Sequence, residues 1–278
     1  GSEKRHQFAR TALSMIPGIK VLASICEDES QSVRRLVLCR ANEGVETELN
    51  FIEERQFAED DVFSHFCALV ADDSNPQTVS KGDVNDPEIV SYITNHLKPE
   101  LVVAFGCSIL REPLLSSFRR RLLNLHLGLS PYYRGAASNF WPLVNGEPEY
   151  VGATFMHLDS GIDTGEIIHQ IRARVYRNDT PHQIGNRLIV DAVFAYGAII
   201  RRIDELHSMP QPTLLDCKYY RTNDYDRQSV EQVLAGFREG MIDIYLRNKS
   251  AKDAKVPIVI NRLVDEESIK LNSSQKSI

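Results

Sequence analysis

The chain has 278 residues, 42% hydrophobic and 25% charged, with a formal net charge of -6, enough for one large α/β domain with an appendage. The negative balance argues against a polyanion as the main ligand, because phosphate backbones are bound by surplus Lys and Arg, and no apolar run approaches the ~20 residues that cross a bilayer. The five cysteines (Cys26, Cys39, Cys67, Cys107 and Cys217) form no Cys-x-x-Cys pair, so the sequence predicts buried free thiols, no metal site and a reduced, cytoplasmic setting.

In chain order, the pattern predicts a helix over 7–15 and, after the Pro17-Gly18 turn, a β-prone apolar run over 19–25. Residues 31–70 carry helical stretches of mixed charge. Asn85-Asp86-Pro87 is a helix-start signal, and the helix it opens is expected to reach residue 97. The apolar run 101–105 reads as a strand covered on both faces. Arg119-Arg120-Arg121 reads as a solvated segment entering the next strand, at 122–126. Gly135-Ala136-Ala137-Ser138 is expected to open a helix carrying Phe140, Trp141, Leu143 and Val144. Two strands at 150–158 and 166–175 flank a Gly-containing turn, and a long helix covers 181–206. Alternation of this kind predicts an α/β fold with a three-layer sandwich.

Composition changes after Pro210-Gln211-Pro212. This predicts a division into a catalytic domain over 1–208 and an extension over 209–278. The extension is expected to hold a short strand at 217–221, one amphipathic helix at 227–246 and a polar tail, 273–277, that frays. A doubly wound sheet normally has an apolar strand first and in its middle. None precedes the helix at 7–15, so residues upstream of Gly1, or another segment, are expected in that slot.

Two strings carry the chemistry. In a strand, residues two apart share a face, so Asn124 and His126 project together while Leu125 enters the core, and strand C-terminal ends are where open α/β sheets hold ligands. By itself an Asn-x-His reads first as local backbone satisfaction. The second string, Asp159-Ser160-Gly161-Ile162-Asp163-Thr164-Gly165, fails as a calcium loop because the sixth and twelfth positions are Thr164 and Gln170. Taken alone it is a polar turn. Phosphate-loop, dinucleotide and nucleophile-elbow motifs are absent. The remaining histidines read mostly as surface or locally bonded.

Together, the run from Asn124-Leu125-His126 through Ser130-Pro131-Tyr132-Tyr133-Arg134-Gly135 and the run from His157 to Gly165 resemble the folate-dependent formyltransferase family. The likeness is strong from Pro99 to Gln170 and weaker toward Leu206. It implies a Rossmann-like fold and 10-formyltetrahydrofolate as formyl donor. It also implies Asn124, His126 and Asp163 as catalytic residues, with Ser108, Ile109, Leu110, Asp159 and Gly161 at the pterin. The loop after His126 departs from the family's Pro-Ser-Leu-Leu-Pro. Among acceptors, the extension's eleven Lys/Arg against ten Asp/Glu are a poor footprint for tRNA, and the purine-pathway enzymes usually stop earlier. The expected partner is therefore a small amine, that of a nucleotide-linked sugar, with the C-terminal helix available to a twin subunit in a homodimer. Methionyl-tRNA formyltransferase-like and purine-pathway activities, and a silent folate-binding module, stay open as alternatives.

Overall fold

A computed structural model describes residues 1–28, 37, 45–214 and 216–275. Its strands in chain order are β1 (Ser24–Glu27), β2 (Pro76–Val79), β3 (Val102–Phe105), β4 (Leu122–His126), β5 (Tyr133–Gly135), β6 (Gly152–His157), β7 (Ile167–Arg172) and β8 (Lys218–Tyr220). The helices are α1 (Lys4–Ser14), α2 (Glu46–Leu69), α3 (Pro87–Ser91), α4 (Leu114–Ser117), α5 (Trp141–Val144), α6 (Pro181–Arg202), α7 (Arg227–Arg238), α8 (Met241–Ala254) and α9 (Arg262–Gln275).

The main sheet has the order β3-β4-β6-β7, with β3 and β4 parallel and the rest antiparallel. Pairs β1–β2 and β5–β8 are separate parallel ribbons. The alternation of β4 sorts its side chains between two layers. Leu123 and Leu125 enter the large core with Phe8 of α1, Phe51 and Phe63 of α2, and Leu188 and Ile199 of α6. Leu122 points the other way, into a second cluster with Ala104, Val90, Ile93, Leu114 and Phe118. Helices thus cover both faces, and the predicted three-layer α/β fold is the one observed.

Local signals account for the helix starts. The Asp86 side chain accepts from the Glu88 N–H at 2.8 Å, and α3 continues as a π-helical stretch, Tyr92–Leu97. At α6, Thr180 and Gln183 cap each other reciprocally ahead of Pro181. Among the described residues, β1 and β3 share no backbone ladder. The Glu27 side chain joins their ends instead. It is 1% exposed and accepts from the N–H groups of Gly82 at 2.7 Å and Ser108 at 2.6 Å. Burial would raise its carboxyl, but those two donors and nearby Lys81 overcome this and hold it below the usual carboxylate range.

Several expectations are corrected. The β-run at 19–25 forms a strand only from Ser24, where β2 offers partners. Of the helical stretches in 31–70, α2 accounts for Glu46–Leu69; residues 31–36 and 38–44 lie outside the described residues. The helix expected at Gly135 begins only at Trp141. Gly135 (φ +91°) and Ala137 (φ +53°) are left-handed, and residues 133–135 instead pair with β8. The single helix at 227–246 is two, broken at Gly240 (φ +82°). The tail predicted to fray is helical through Gln275, and Lys276 and Ser277 lie outside the described residues. Among the described cysteines only Cys26 is buried. Cys67, Cys107 and Cys217 are half-buried free thiols, and Cys39 lies outside the described residues. His6 and His169 are core residues, 8% and 1% exposed. Arg120 and Arg121 are exposed and paired with Glu166 and Asp204, as a solvated segment should be.

Candidate active site

Asn124 and His126 project from the face of β4 opposite Leu123 and Leu125. The strand end is held on both sides, by β3 and by β6, with His126 opposite Thr154. Asp163 arrives from the turn between β6 and β7. The turn folds on itself: the Asp159 carboxylate accepts from the Gly161 N–H at 2.9 Å and the Thr164 hydroxyl at 2.7 Å. Asp163 is left-handed, φ +53°, a conformation that Asp tolerates better than most residues with a Cβ.

The three side chains meet at Asp163. Its Oδ1 lies 3.3 Å from His126 Nδ1 and 3.5 Å from Asn124 Nδ2, while Oδ2 accepts the Gly135 N–H at 2.9 Å. His126 Nε2 lies 3.2 Å from the Tyr133 carbonyl. A carbonyl can only accept, so this contact calls for a proton on Nε2. Side-chain exposure is 7% at His126 and 12% at Asp163, so little water screens the pair, and Nδ1, facing the carboxylate, is the nitrogen left to gain or lose a proton. The Asn124 contact is at the outer limit of a hydrogen bond, which leaves its amide free to donate to a second oxygen. A donor, an imidazole and a carboxylate converging in this way can polarise a carbonyl and relay a proton.

The backbone of β5 serves both partners: the Tyr133 carbonyl faces His126 and the Gly135 N–H holds Asp163. Tyr133 is itself anchored. Its hydroxyl donates to Glu147 and accepts from Asn145 at 2.8 Å and Lys218 at 3.1 Å. Burial, reinforced by the Glu147 carboxylate, pushes this phenol up. The sequence assigned Gln211 and Glu27 no role at the site, and it marked Tyr133 and Gly135 only as parts of the motif run, not as backbone partners of His126 and Asp163. Their contributions run through backbone atoms or long-range contacts that carry no motif.

The residues expected at a pterin occupy two adjoining loops. Leu110 and Leu158 belong to the same apolar cluster, which brings the loop after β3 beside the start of the Asp159 turn. Ser108 gives its N–H to Glu27, and the Ile109 carbonyl accepts from Asn85 at 2.9 Å. Leu110 is buried, so its side chain is part of the core. Asp159 and Gly161 bond each other within the turn. Each loop presents one exposed isoleucine, Ile109 at 56% and Ile162 at 39%. Exposed apolar side chains of this kind would suit the flat face of a folate's heteroaromatic ring, while the polar groups named here are already hydrogen-bonded within the protein.

The chain is similar to several known proteins. Methionyl-tRNA formyltransferase of Geobacter metallireducens is 36% identical over 122 residues, 43% of this chain and 38% of that protein. That of Desulforamulus reducens is 40% identical over 97 residues, 34% of this chain and 30% of that protein. The alignments thus span less than half the length of either relative. Among solved structures, the formyltransferase PseJ from Anoxybacillus kamchatkensis, in complex with a UDP-linked formamido sugar and tetrahydrofolate, has 24% identity and a TM-score of 0.46, covering 63% of this chain and 90% of that one. Phosphoribosylglycinamide formyltransferase from Anaplasma phagocytophilum has 16% identity and a TM-score of 0.49, covering 80% of this chain and 94% of that one. The family model described as formyl transferase matches residues 55–198, just over half of the chain and a span that includes Asn124, His126 and Asp163, and the chain therefore belongs to the formyl transferase family.

Proposed function

We propose that this protein transfers a formyl group from 10-formyltetrahydrofolate to a primary amine, with Asn124, His126 and Asp163 as its catalytic residues. The observation that carries this reading is the convergence of an amide and an imidazole on one carboxylate, 3.5 and 3.3 Å away. When bound, the folate supplies the formyl group and leaves as tetrahydrofolate. The amide of Asn124 donates to the carbonyl oxygen on which negative charge gathers; a donor of this kind is worth ~3 kcal/mol in comparable sites. Tyr133 and Asp163 hold the His126 ring from opposite sides, so it cannot swing. His126 and Asp163 take up the proton that the amine loses and return it to the leaving nitrogen, a role worth roughly 10²–10⁴-fold.

The acceptor we infer is the amino group of a nucleotide-linked sugar. The near-neutral extension supports this over tRNA. Near the site, an open groove of about 370 Å³ is lined by Trp141, Asn145, Tyr219 and Tyr220 together with Asp224 and Asp226, whose carboxylates disfavour a phosphate there. It adjoins Gly135, whose added Cβ would meet the Tyr219 ring at 3.0 Å. The groove's aromatic and amide side chains suit a sugar ring rather than a phosphate. The names of the sequence relatives favour a second reading, methionyl-tRNA as acceptor.

Release of tetrahydrofolate from 10-formyltetrahydrofolate separates the readings when amino-sugar nucleotides and methionyl-tRNA are supplied in parallel. Turnover with a sugar nucleotide is the expected result, and turnover with the tRNA alone replaces it with the second reading. In the productive reaction, Asn124→Ala should lower kcat/KM by about 10²–10³-fold. A folate that binds but is never consumed, with any amine, would make the protein a silent binding module.

A further inference from the structure

We propose that Gln211, from the segment linking the formyl transferase match to the C-terminal extension, is a positioning residue for the Asp163 carboxylate. This rests on the reading of the Asp163 cluster as the site of formyl transfer.

The argument starts from the turn. Asp163 holds a left-handed backbone, a region that most L-residues avoid and that even Asp occupies sparingly. Such a conformation persists only where the surroundings over-determine it. The hydrogen bonds of Asp159 lie within the turn and reach Gly161 and Thr164, not Asp163. What holds the main chain at Asp163 from outside is Gln211. Its side-chain amide donates to the Asp163 carbonyl at 2.8 Å and to the Gly165 carbonyl at 2.9 Å. One NH₂ group thus spans the residues on either side of Thr164.

Gln211 is itself delivered accurately. Two residues earlier, Met209 exchanges both backbone hydrogen bonds with Ile167 at 2.8 Å, registering the segment on the start of β7. A few residues later, β8 pairs with β5, whose Gly135 N–H holds the other side of the same carboxylate. The linking segment therefore grips Asp163 twice, through the Gln211 amide on its backbone and through β8 and β5 on its side chain.

A second observation concerns the other end of the amide. Gln211 Oε1 is buried and finds no partner among the described residues. An orphaned buried acceptor carries a cost that an apolar side chain would avoid. The amide is explained by its NH₂ donors, which no apolar residue can supply.

The donor requirement gives a sharp test. Gln211→Glu keeps the shape but sets a carboxylate against two carbonyls. Gln211→Lys keeps a donor. In steady-state assays with 10-formyltetrahydrofolate and the productive amine, Gln211→Glu should lose at least about 10-fold in kcat, since small misplacement of a reacting group is costly. Both KM values should stay within about 2-fold, because the cluster acts on the transition state. Gln211→Lys should recover most of the kcat. Equal losses in the two variants, tracking their thermal midpoints, would reduce Gln211 to a loop fastener, and a normal kcat in Gln211→Glu would overturn the proposal outright.

A wild-type protein with no turnover would sink the reading of the site, not this inference. The inference is then decided by imidazole ¹⁵N spectra. Gln211→Glu should move the His126 Nδ1 resonance in the same direction as Asp163→Asn. An unmoved resonance overturns it.

Discussion

Asn124 and His126 owe their convergence to one rule of strand geometry, which is why both were legible before any coordinates: residues two apart on β4 cannot avoid sharing a face. Asp163 was legible only through the Asp-Gly turn and its likeness to a family, because nothing in a turn's composition says which strand end it will meet. Gln211 and Glu27 were not legible at all. Each acts on backbone atoms, which every residue possesses, so no residue type marks the partner. His169 shows the same limit with a measurable consequence. It is 1% exposed, its Nδ1 accepts the Asn261 N–H at 3.0 Å, and Nε2 faces Asp265 at 3.5 Å. Burial pulls its pKa down to about 4, and burial does the same at His182. The unfolded imidazole, near 6.5, takes up a proton that the folded one refuses. Stability contributed by the neutral ring is therefore complete above pH 6.5 and lost as pH falls toward 4. The slope approaches ~1.4 kcal/mol per pH unit for each such group. Urea denaturation at pH 7 and pH 5 should show a distinctly smaller drop in His169→Asn than in the wild type, the remaining drop coming from the other histidines that burial holds down, His6, His157 and His182. Parallel drops in the two proteins would show that His169 is not the group responsible.

At the level of elements, two of the discrepancies between expectation and structure fall at left-handed glycines, and the two differ in what surrounds them. Apolar spacing over 227–246 is continuous, so the pattern could not reveal that Gly240 turns the chain between α7 and α8. At Gly135 a Gly-Ala-Ala-Ser run looks like a helix start, yet the backbone there closes a parallel ladder with β8. A Cβ at Gly135 would sit 2.1 Å from the Tyr220 carbonyl, whereas nothing lies within 4 Å of one at Gly240. Gly240→Ala should therefore cost only the conformational strain, about 1–2 kcal/mol. Gly135→Ala adds a backbone collision to that strain and should lose distinctly more, in the range of about 3 kcal/mol or above, as well as loosening the N–H that holds Asp163. Thermal or urea denaturation of the pair ranks them. An equal cost would mean that β5 and β8 separate easily and that the ladder contributes little.

For the whole molecule, composition suggested a catalytic domain ending near residue 208 and an appendage beyond it. The packing bears on how independent these parts can be. Val230, Val233 and Val264 are fully buried in the same core as Leu123, Phe155 and Ile199. Glu267 of α9 is 3.1 Å from Arg201 of α6. Trp141, the single tryptophan, stacks on Tyr220 with ring centroids 4.1 Å apart. Its fluorescence therefore reports the junction itself. Unfolding followed by Trp141 fluorescence and by far-ultraviolet circular dichroism should give coincident transitions, while an earlier fluorescence transition would show the extension detaching first. By itself the sequence determined the elements whose signals are local: the capped start of α3, the long helix α6, the apolar strands β3 and β4, and the shared face of Asn124 and His126. Only the tertiary structure decided that the segment after Met209 returns to the catalytic turn, that β8 completes β5, and that Asp163 is gripped from both sides. Periodicity and capping depend on neighbours a few positions away in the chain, whereas these contacts join residues dozens of positions apart through main-chain groups common to every amino acid.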